Sequence, residues 1–428
     1  MARLYYIVQS EMMTGGVIEA QVIGTLRAHS RIEGQPKTKL IFLEPARVAL
    51  GKRARATLRK YRSLWPEGDI AIVPYVSRLG ETSAGKSLAL YLLRERMSRE
   101  EIIFHCRGPA TTWAAHIARE SLSKGRVIFD VRGPFADETI HRLGFPWPSD
   151  LSPEAERAHH LCMDMDRRAA AVADRVFTLS PGMKRYAIEK FGASEERTLV
   201  VPSCVENLSF NRETRDRVRR EWGANSSSPV FLYAGRLGRE RLPRHMFRLF
   251  AAVLRLRPDA KFILMTYLNQ LADIESLIKE AGMSESSVTV VSHSRDEALL
   301  RMCAADVGLL FLEPALRYQD CFPIKIPEYL SAGLSLAMNS SVGNLPDLVS
   351  SRRLGWVIDE DASDELLDEN AQKMVGEMEG NSAAMRKRSL DACSELFLWR
   401  NHVPAIRRAY GLEDYQGEKA NQPIIAAS

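Results

Sequence analysis

Two stretches in the second half of this 428-residue chain hold the side chains best suited to chemistry. The first, Tyr233-Ala-Gly235-Arg236-Leu237, closes a run that reads as a buried strand, and Arg239 and Arg241 follow at once. A glycine there lets backbone approach a ligand, and the arginine sets a fork-shaped charge at the carboxyl end of a sheet, a combination suited to phosphate. A solvated basic turn is the bland alternative. The second stretch runs Asp320-Cys-Phe322-Pro-Ile324-Lys325-Ile-Pro-Glu328-Tyr-Leu-Ser-Ala-Gly333. Pro323 suits the first turn of a helix expected to reach Ala332, so the N–H groups around Phe322, Ile324 and Lys325 would favour an anion. Lys325 and Glu328, three apart, share a helix face. Lys325 would hold a phosphate while Glu328 accepts hydrogen bonds from sugar hydroxyls, unless the two form only a surface ion pair.

Other motifs tempt and carry less. Gly80-Glu-Thr-Ser-Ala-Gly85-Lys86-Ser87 matches the P-loop pattern by letter, yet Gly80 lies five residues beyond the expected strand end at Tyr75. A loop capped by Ser83 at a helix start is the better expectation. Asp164-Met-Asp166 has the D-x-D spacing of nucleotide-sugar metal sites but falls within an expected helix, Pro153 to Ala173, where residues two apart point about 200° from each other. His159, His160 and Cys162 fail as a metal cluster for the same reason. From Arg47 to Arg62 run seven basic residues and no acidic one, with Leu50, Leu58 and Tyr61 interleaved. Such a basic amphipathic helix would lie on an anionic membrane or simply be a solvated face.

These residues need a scaffold, and short apolar runs alternating with helix-length amphipathic segments supply one: parallel sheets built from βαβ units, an α/β protein. Strands are expected at Leu4 to Val8, Lys39 to Leu43, Ile70 to Tyr75, Ile102 to Cys106, Val127 to Val131, Arg175 to Leu179 and Thr198 to Val201. After a polar, arginine-rich interruption from Asn211 to Pro229, six more are expected. They are Val230 to Ala234, Lys261 to Thr266, Val288 to Val291, Asp306 to Phe311, Leu334 to Met338 and Gly355 to Ile358. Two Rossmann-like domains in tandem are the economical arrangement, with ligands at the carboxyl ends of the strands.

Composition agrees with ordinary globular material: 45% hydrophobic and 26% charged residues exclude fibrous and disordered classes. The net charge of +5 is uneven, +8 over residues 1–200 and −3 over the rest, which suggests an anionic partner for the first half but is too weak for nucleic acid. Six scattered cysteines without a C-x-x-C pair argue against disulfides and zinc. The start is too short and polar for a signal peptide and no run is long enough to span a membrane, so a cytoplasmic location is expected, with peripheral attachment at the inner membrane face as an option.

The chain resembles the two-domain, retaining GT-B glycosyltransferases of family 4. The carrying residues are Tyr233 to Leu237, the D-x7-E pair Asp320 and Glu328, Gly343-Asn-Leu-Pro-Asp-Leu-Val349, the segment from Leu179 to Glu206, and Phe397 to Gly411. The resemblance implies domains over 1–208 (acceptor side, with helices at about 396–411 crossing back) and 209–395 (donor side), while the polar tail at 412–428 reads by its composition as disordered. It implies that Arg236 contacts the donor diphosphate, that Glu328 binds the ribose, and that Asp320 faces the transferred sugar where the family has the longer Glu. Arg241 stands where a lysine is common. Gly15 and Gly16 match the family's glycine loop, and the loop holding His293 would meet the base through backbone. Arg132 aligns with the family's histidine; a guanidinium cannot act as a base at neutral pH, so it would neutralise the leaving diphosphate or an acidic acceptor, with Glu138 nearby. The expected activity is transfer of a sugar from a nucleotide-diphosphate donor to a saccharide or lipid-linked hydroxyl acceptor in glycan biosynthesis, without metal or other cofactor. A GT-B epimerase or hydrolase, a non-catalytic nucleotide-sugar-binding partner protein and a P-loop ATPase are the alternatives.

Overall fold

The computed structural model describes residues 2–13, 15–31, 35–95, 101–142, 152–313 and 322–412. The chain divides into two compact units, one formed by residues up to Ser203 together with the segment from Trp399 onward, the other by Cys204–Leu398. Each unit is built on one sheet. The first holds β1 (Ala2–Gln9), β2 (Lys37–Pro45), β3 (Asp69–Tyr75), β4 (Glu101–Arg107), β5 (Arg126–Asp130), β6 (Arg175–Thr178) and β7 (Thr198–Val200), in the order β3-β2-β1-β4-β5-β6-β7. The second holds β8 (Val230–Ala234), β9 (Lys261–Met265), β10 (Val288–Val291), β11 (Val307–Leu310), β12 (Ser335–Met338) and β13 (Gly355–Val357), in the order β10-β9-β8-β11-β12-β13. Every pairing is parallel.

All thirteen expected strands form, with no end shifted by more than two residues. The reason is burial on both faces. Tyr5 to Val8, Leu40 to Leu43, Phe231 to Tyr233 and Phe262 to Leu264 are fully enclosed, so their sequences run apolar without alternation. Strand order reverses between β1 and β4 in the first sheet and between β8 and β11 in the second. At such switch points the loops leaving neighbouring strands diverge and open a ligand crevice.

Two stretches depart from expectation. The P-loop-like run is helical from Gly80 on (helix Gly80–Arg94), and Gly85 is a packing contact: a Cβ there would stand 2.6 Å from Ile117 Cβ of helix Pro109–Leu122. Its glycine serves helix–helix approach and no phosphate cradle forms. The polar interruption holds a helix, Arg212–Glu221, whose Arg215 and Arg219 are buried. Arg215 donates to the carbonyls of Cys303 and Ala305, Arg219 to that of Ala304, and both pair with Asp306 at the start of β11. Burial alone would raise the Asp306 carboxyl, but these guanidiniums hold it below the usual range.

The basic run splits at Gly51 into helices Ala46–Ala49 and Lys52–Leu64. The five described cysteines are buried. Among the described residues no helix is long and apolar enough to cross a membrane. Most of the expected tail, from residue 413 on, lies outside the described residues.

Candidate functional site

The second unit's switch point gathers most of the residues singled out above. β8 ends at Ala234 and hands over to Gly235, whose φ of +129° needs a residue without a side chain. A Cβ at Gly235 would stand 3.0 Å from Lys325 Cε and 3.1 Å from its Nζ, so the glycine is also what lets the lysine lie against the loop. The Tyr233 hydroxyl donates to the Arg236 carbonyl (2.7 Å), while Gln270 accepts from Leu237 N–H (3.0 Å) and donates to its carbonyl (2.9 Å). With its backbone tied at these points the loop is fixed, while the Arg236 side chain remains exposed to solvent.

Across the switch, the chain after β11 re-enters at Phe322, which is buried against Phe397 with ring centroids 5.3 Å apart. The helix begins at Lys325, later than Pro323 suggests, and runs only to Ser331; Pro323 instead accepts from Ile326 N–H (3.1 Å). Ile324 stands at its N-cap position with helical backbone and no side-chain cap. So short a helix has little dipole to offer, and side-chain charge carries the site. The Tyr329 hydroxyl accepts from Ala234 N–H (3.0 Å), pinning this helix to the end of β8, and its ring fits because residue 308 is glycine: a Cβ there would stand 2.3 Å from the ring.

Lys325 Nζ lies 5.6 Å from the Tyr233 ring centroid. The residue as a whole is only half-buried, but its ammonium sits deep. Burial first, then Arg241, lowers its pKa to about 8 against the pull of Glu328 and Glu240. A lysine in such surroundings lacks a strong counter-anion, which is the condition for receiving one from a ligand. Arg241 lies 3.7 Å from Glu240. Glu328 is buried and accepts from Arg295 Nη2 at 2.5 Å, so the acid expected to meet hydroxyls is already oriented by a cation. Arg295 starts the helix after β10 and follows His293, whose Nδ1 is 3.1 Å from Glu297 and whose buried Nε2 has no hydrogen-bond partner. The structure thus brings Gly235, Lys325 and Glu328 together at the β8/β11 switch and sets the arginine loop beside them. Asp320 lies outside the described residues.

In the first unit Gly15 takes a left-handed φ of +56° and Gly16 begins the helix after β1. At the β1/β4 switch the buried Arg107 binds Glu11 (3.1 Å) and Gln21 (2.8 Å), and its Nη1 is left without a partner. Arg132, after β5, lies 3.6 Å from the buried Asp130, which also meets the Tyr6 hydroxyl and His105 Nε2, each at 3.2 Å. Burial would raise that carboxyl; Arg132, His105 and Arg107 together hold it well below the usual range. His105 Nδ1 is 2.7 Å from the hydroxyl of Tyr410 on helix Trp399–Tyr410, so the last helix is tied to the first unit through this network. Glu138 folds back on Gly133, where a Cβ would stand 2.4 Å from its Oε1.

Residues 214–387 match the family model described as Glycosyl transferases group 1. The matched region contains the whole β8/β11 switch. The chain is 23% identical over 247 residues to the alpha-maltose-1-phosphate synthase of Mycolicibacterium smegmatis, covering 55% of this chain and 62% of that protein. It is 24% identical over 211 residues to the D-inositol 3-phosphate glycosyltransferase of Pseudarthrobacter chlorophenolicus, covering 46% and 48%. The chain therefore spans about half to three-fifths of the length of these relatives. Anabaena HepE in complex with UDP superposes on 96% of this chain and 100% of its own, at 15% identity and a TM-score of 0.67, and shares the GT-B fold.

Sequence reasoning missed Arg295 as the partner of Glu328 and Arg107 at the β1/β4 switch. Arg107 ends β4 and Arg295 follows β10 across a short polar loop, positions worth reading for charge. The D-x-D pair is separated by its helix: Asp164 is exposed and paired with Arg167 (3.1 Å), Asp166 is buried. Burial, with Asp137 and Glu138 adding, raises Asp166 to about 8. Its proton is retained in the folded state but lost above about pH 4 in the unfolded chain, so the native state is progressively penalised from about pH 4 to about 8. Asp166→Asn is expected to raise the melting temperature near neutral pH, with the gain shrinking to nothing near pH 4 in paired thermal melts.

Proposed function

We propose that this protein is a retaining glycosyltransferase that moves a sugar from a nucleotide-diphosphate donor to a hydroxyl acceptor. The observation that carries this is the meeting of Gly235, Lys325 and Glu328 at one switch point, with Arg236 and Arg241 on the adjoining loop. Lys325, Arg236 and Arg241 stabilise the negative charge that grows on the departing diphosphate, and Glu328, held by Arg295, accepts from the ribose hydroxyls. Asp320 is assigned to the transferred sugar, the backbone at Phe322 and Ile324 to the donor phosphates, and the His293 loop to the base. The leaving phosphate oxygen takes the acceptor's proton as the new bond forms on the same face, so no dedicated base is required.

The first unit is assigned to the acceptor, a saccharide or lipid-linked hydroxyl in glycan biosynthesis. Gly15 and Gly16 are assigned to close backbone approach of a ligand, and Arg132, with Glu138 nearby, to neutralising an acidic acceptor. Support comes from the alpha-maltose-1-phosphate synthase and D-inositol 3-phosphate glycosyltransferase relatives and from HepE, which is known in complex with UDP.

Since protein cations take the role of a divalent ion, turnover is expected to survive EDTA unchanged, and restoration of lost activity by added magnesium or manganese would contradict this assignment. A panel of nucleotide sugars screened by thermal shift identifies the donor, because a ligand bound only to the folded state raises its stability. Incubation of that donor with candidate acceptors should give a glycosylated product with retained anomeric configuration. Donor hydrolysis alone, with every acceptor ignored, would count against the transferase.

A further inference from the structure

The loops leaving β1, β2 and β3 form one rim of the first unit. These strands are neighbours in the order β3-β2-β1, and Pro45 at the end of β2 stands in register with Tyr75 at the end of β3. The chain therefore leaves all three on one side of the sheet, its carboxyl side. Five large apolar residues are exposed there: Met13 and Val17 after β1, Leu50 (68% exposed) after β2, and Val76 and Leu79 (68%) after β3. Soluble surfaces tolerate scattered exposed leucines, but a group of this kind on one rim marks an interaction site.

Cations are interspersed with them. Arg47, Lys52, Arg53 and Arg78 are all exposed in the same loops and the adjoining helix start. The described residues of segments 10–20, 46–64 and 76–80 contain two acids, Glu11 and Glu19, and both are engaged, with Arg107 and Lys60 respectively. Helix Lys52–Leu64 is held firmly to this rim: the Tyr61 hydroxyl donates to the Met12 carbonyl at 2.8 Å, and Thr57 Oγ1 reaches Met13 Sδ at 3.6 Å. Its Arg55 and Arg59 are exposed as well.

We propose that this rim docks on the anionic face of a lipid bilayer, with Leu50, Val76 and Leu79 entering the interface while the arginines and lysine meet headgroup phosphates. Both halves of the pattern are needed for reversible attachment, since basic residues near a charged leaflet add attraction and apolar side chains add burial. The two come from three separate loops placed side by side by the sheet. Because ligands of open α/β sheets bind at the carboxyl ends of the strands, docking would bring that end of the first unit to the bilayer, where a lipid-linked acceptor resides; this last consequence rests on the transferase function, the docking does not.

Vesicle co-sedimentation of the full chain tests it without any turnover. Binding is expected to vesicles of phosphatidylcholine containing about one-third phosphatidylglycerol and not to phosphatidylcholine alone, and to weaken as salt screens the charges. Leu50→Ser with Leu79→Ser, and separately Arg53→Ser with Arg78→Ser, should each weaken binding by about tenfold or more. All four positions are exposed, and an unchanged melting temperature confirms that the fold is intact. Failure of the folded wild type to bind anionic vesicles would overturn the proposal. So would binding that either double substitution leaves unchanged, or retention of acidic proteins by a chain that ignores vesicles.

Discussion

Lys325→Met is expected to lower kcat/KM for the sugar donor by about two to three orders of magnitude, the range seen when one preorganised charge facing a developing anion is removed. Methionine keeps the stem packed near Tyr233 while removing the charge, so the melting temperature should hold. The same lysine makes a pH prediction. Its pKa of about 8 means that the free protein loses this cation as pH rises through that value, so kcat/KM should fall above about pH 8. A bound diphosphate favours the charged lysine, which moves the corresponding fall in kcat to higher pH. Stability of the ligand-free protein moves the other way. An unfolded lysine holds its proton to about pH 10.4, so between about 8 and 10.4 the unfolded state binds more protons and wild type gains stability relative to Lys325→Met as pH rises. Opposite trends in donor affinity and apo stability would separate a ligand-binding lysine from a merely structural one.

The second large effect is at Glu328. Glu328→Gln is expected to raise the donor KM by about 10- to 100-fold, since a hydrogen bond to a charged acceptor contributes about 1.5–3 kcal/mol. Unlike the lysine change, this one should also lower the melting temperature, because it leaves Arg295, whose buried Nε already lacks a partner, without its counter-charge. Arg295→Met removes the residue that orients the acid, and its loss should be smaller and confined to KM. The two act through one ion pair, so the double variant should be little worse than Glu328→Gln alone. Additive losses would show that Arg295 meets the donor independently.

The sheets were legible because strands buried on both faces leave continuous apolar runs, and the glycine-arginine loop was legible because the switch point places it directly after one such run. Lys325 and Glu328 could be paired from helical spacing alone. What the sequence concealed were contacts between side chains far apart in the chain. Arg295 sits 33 positions from Glu328, and nothing local marks the two as partners. Arg215 and Arg219 read as a polar interruption because the carbonyls and the Asp306 carboxylate that satisfy them lie at the start of β11. The P-loop letters, set aside from the sequence, have a packing reason of the same distant kind: Gly85 is small because helix Pro109–Leu122 packs on it.

The central claim is that the donor diphosphate is held at the β8/β11 switch of the second unit. Hydrogen–deuterium exchange with the nucleoside diphosphate selected by the thermal-shift panel, at saturating concentration, tests it most directly. Slowed exchange in the segments at 235–241 and 322–331, reduced in Lys325→Met, is the predicted result; saturating binding that leaves both segments unchanged while protecting another part of the chain would contradict it.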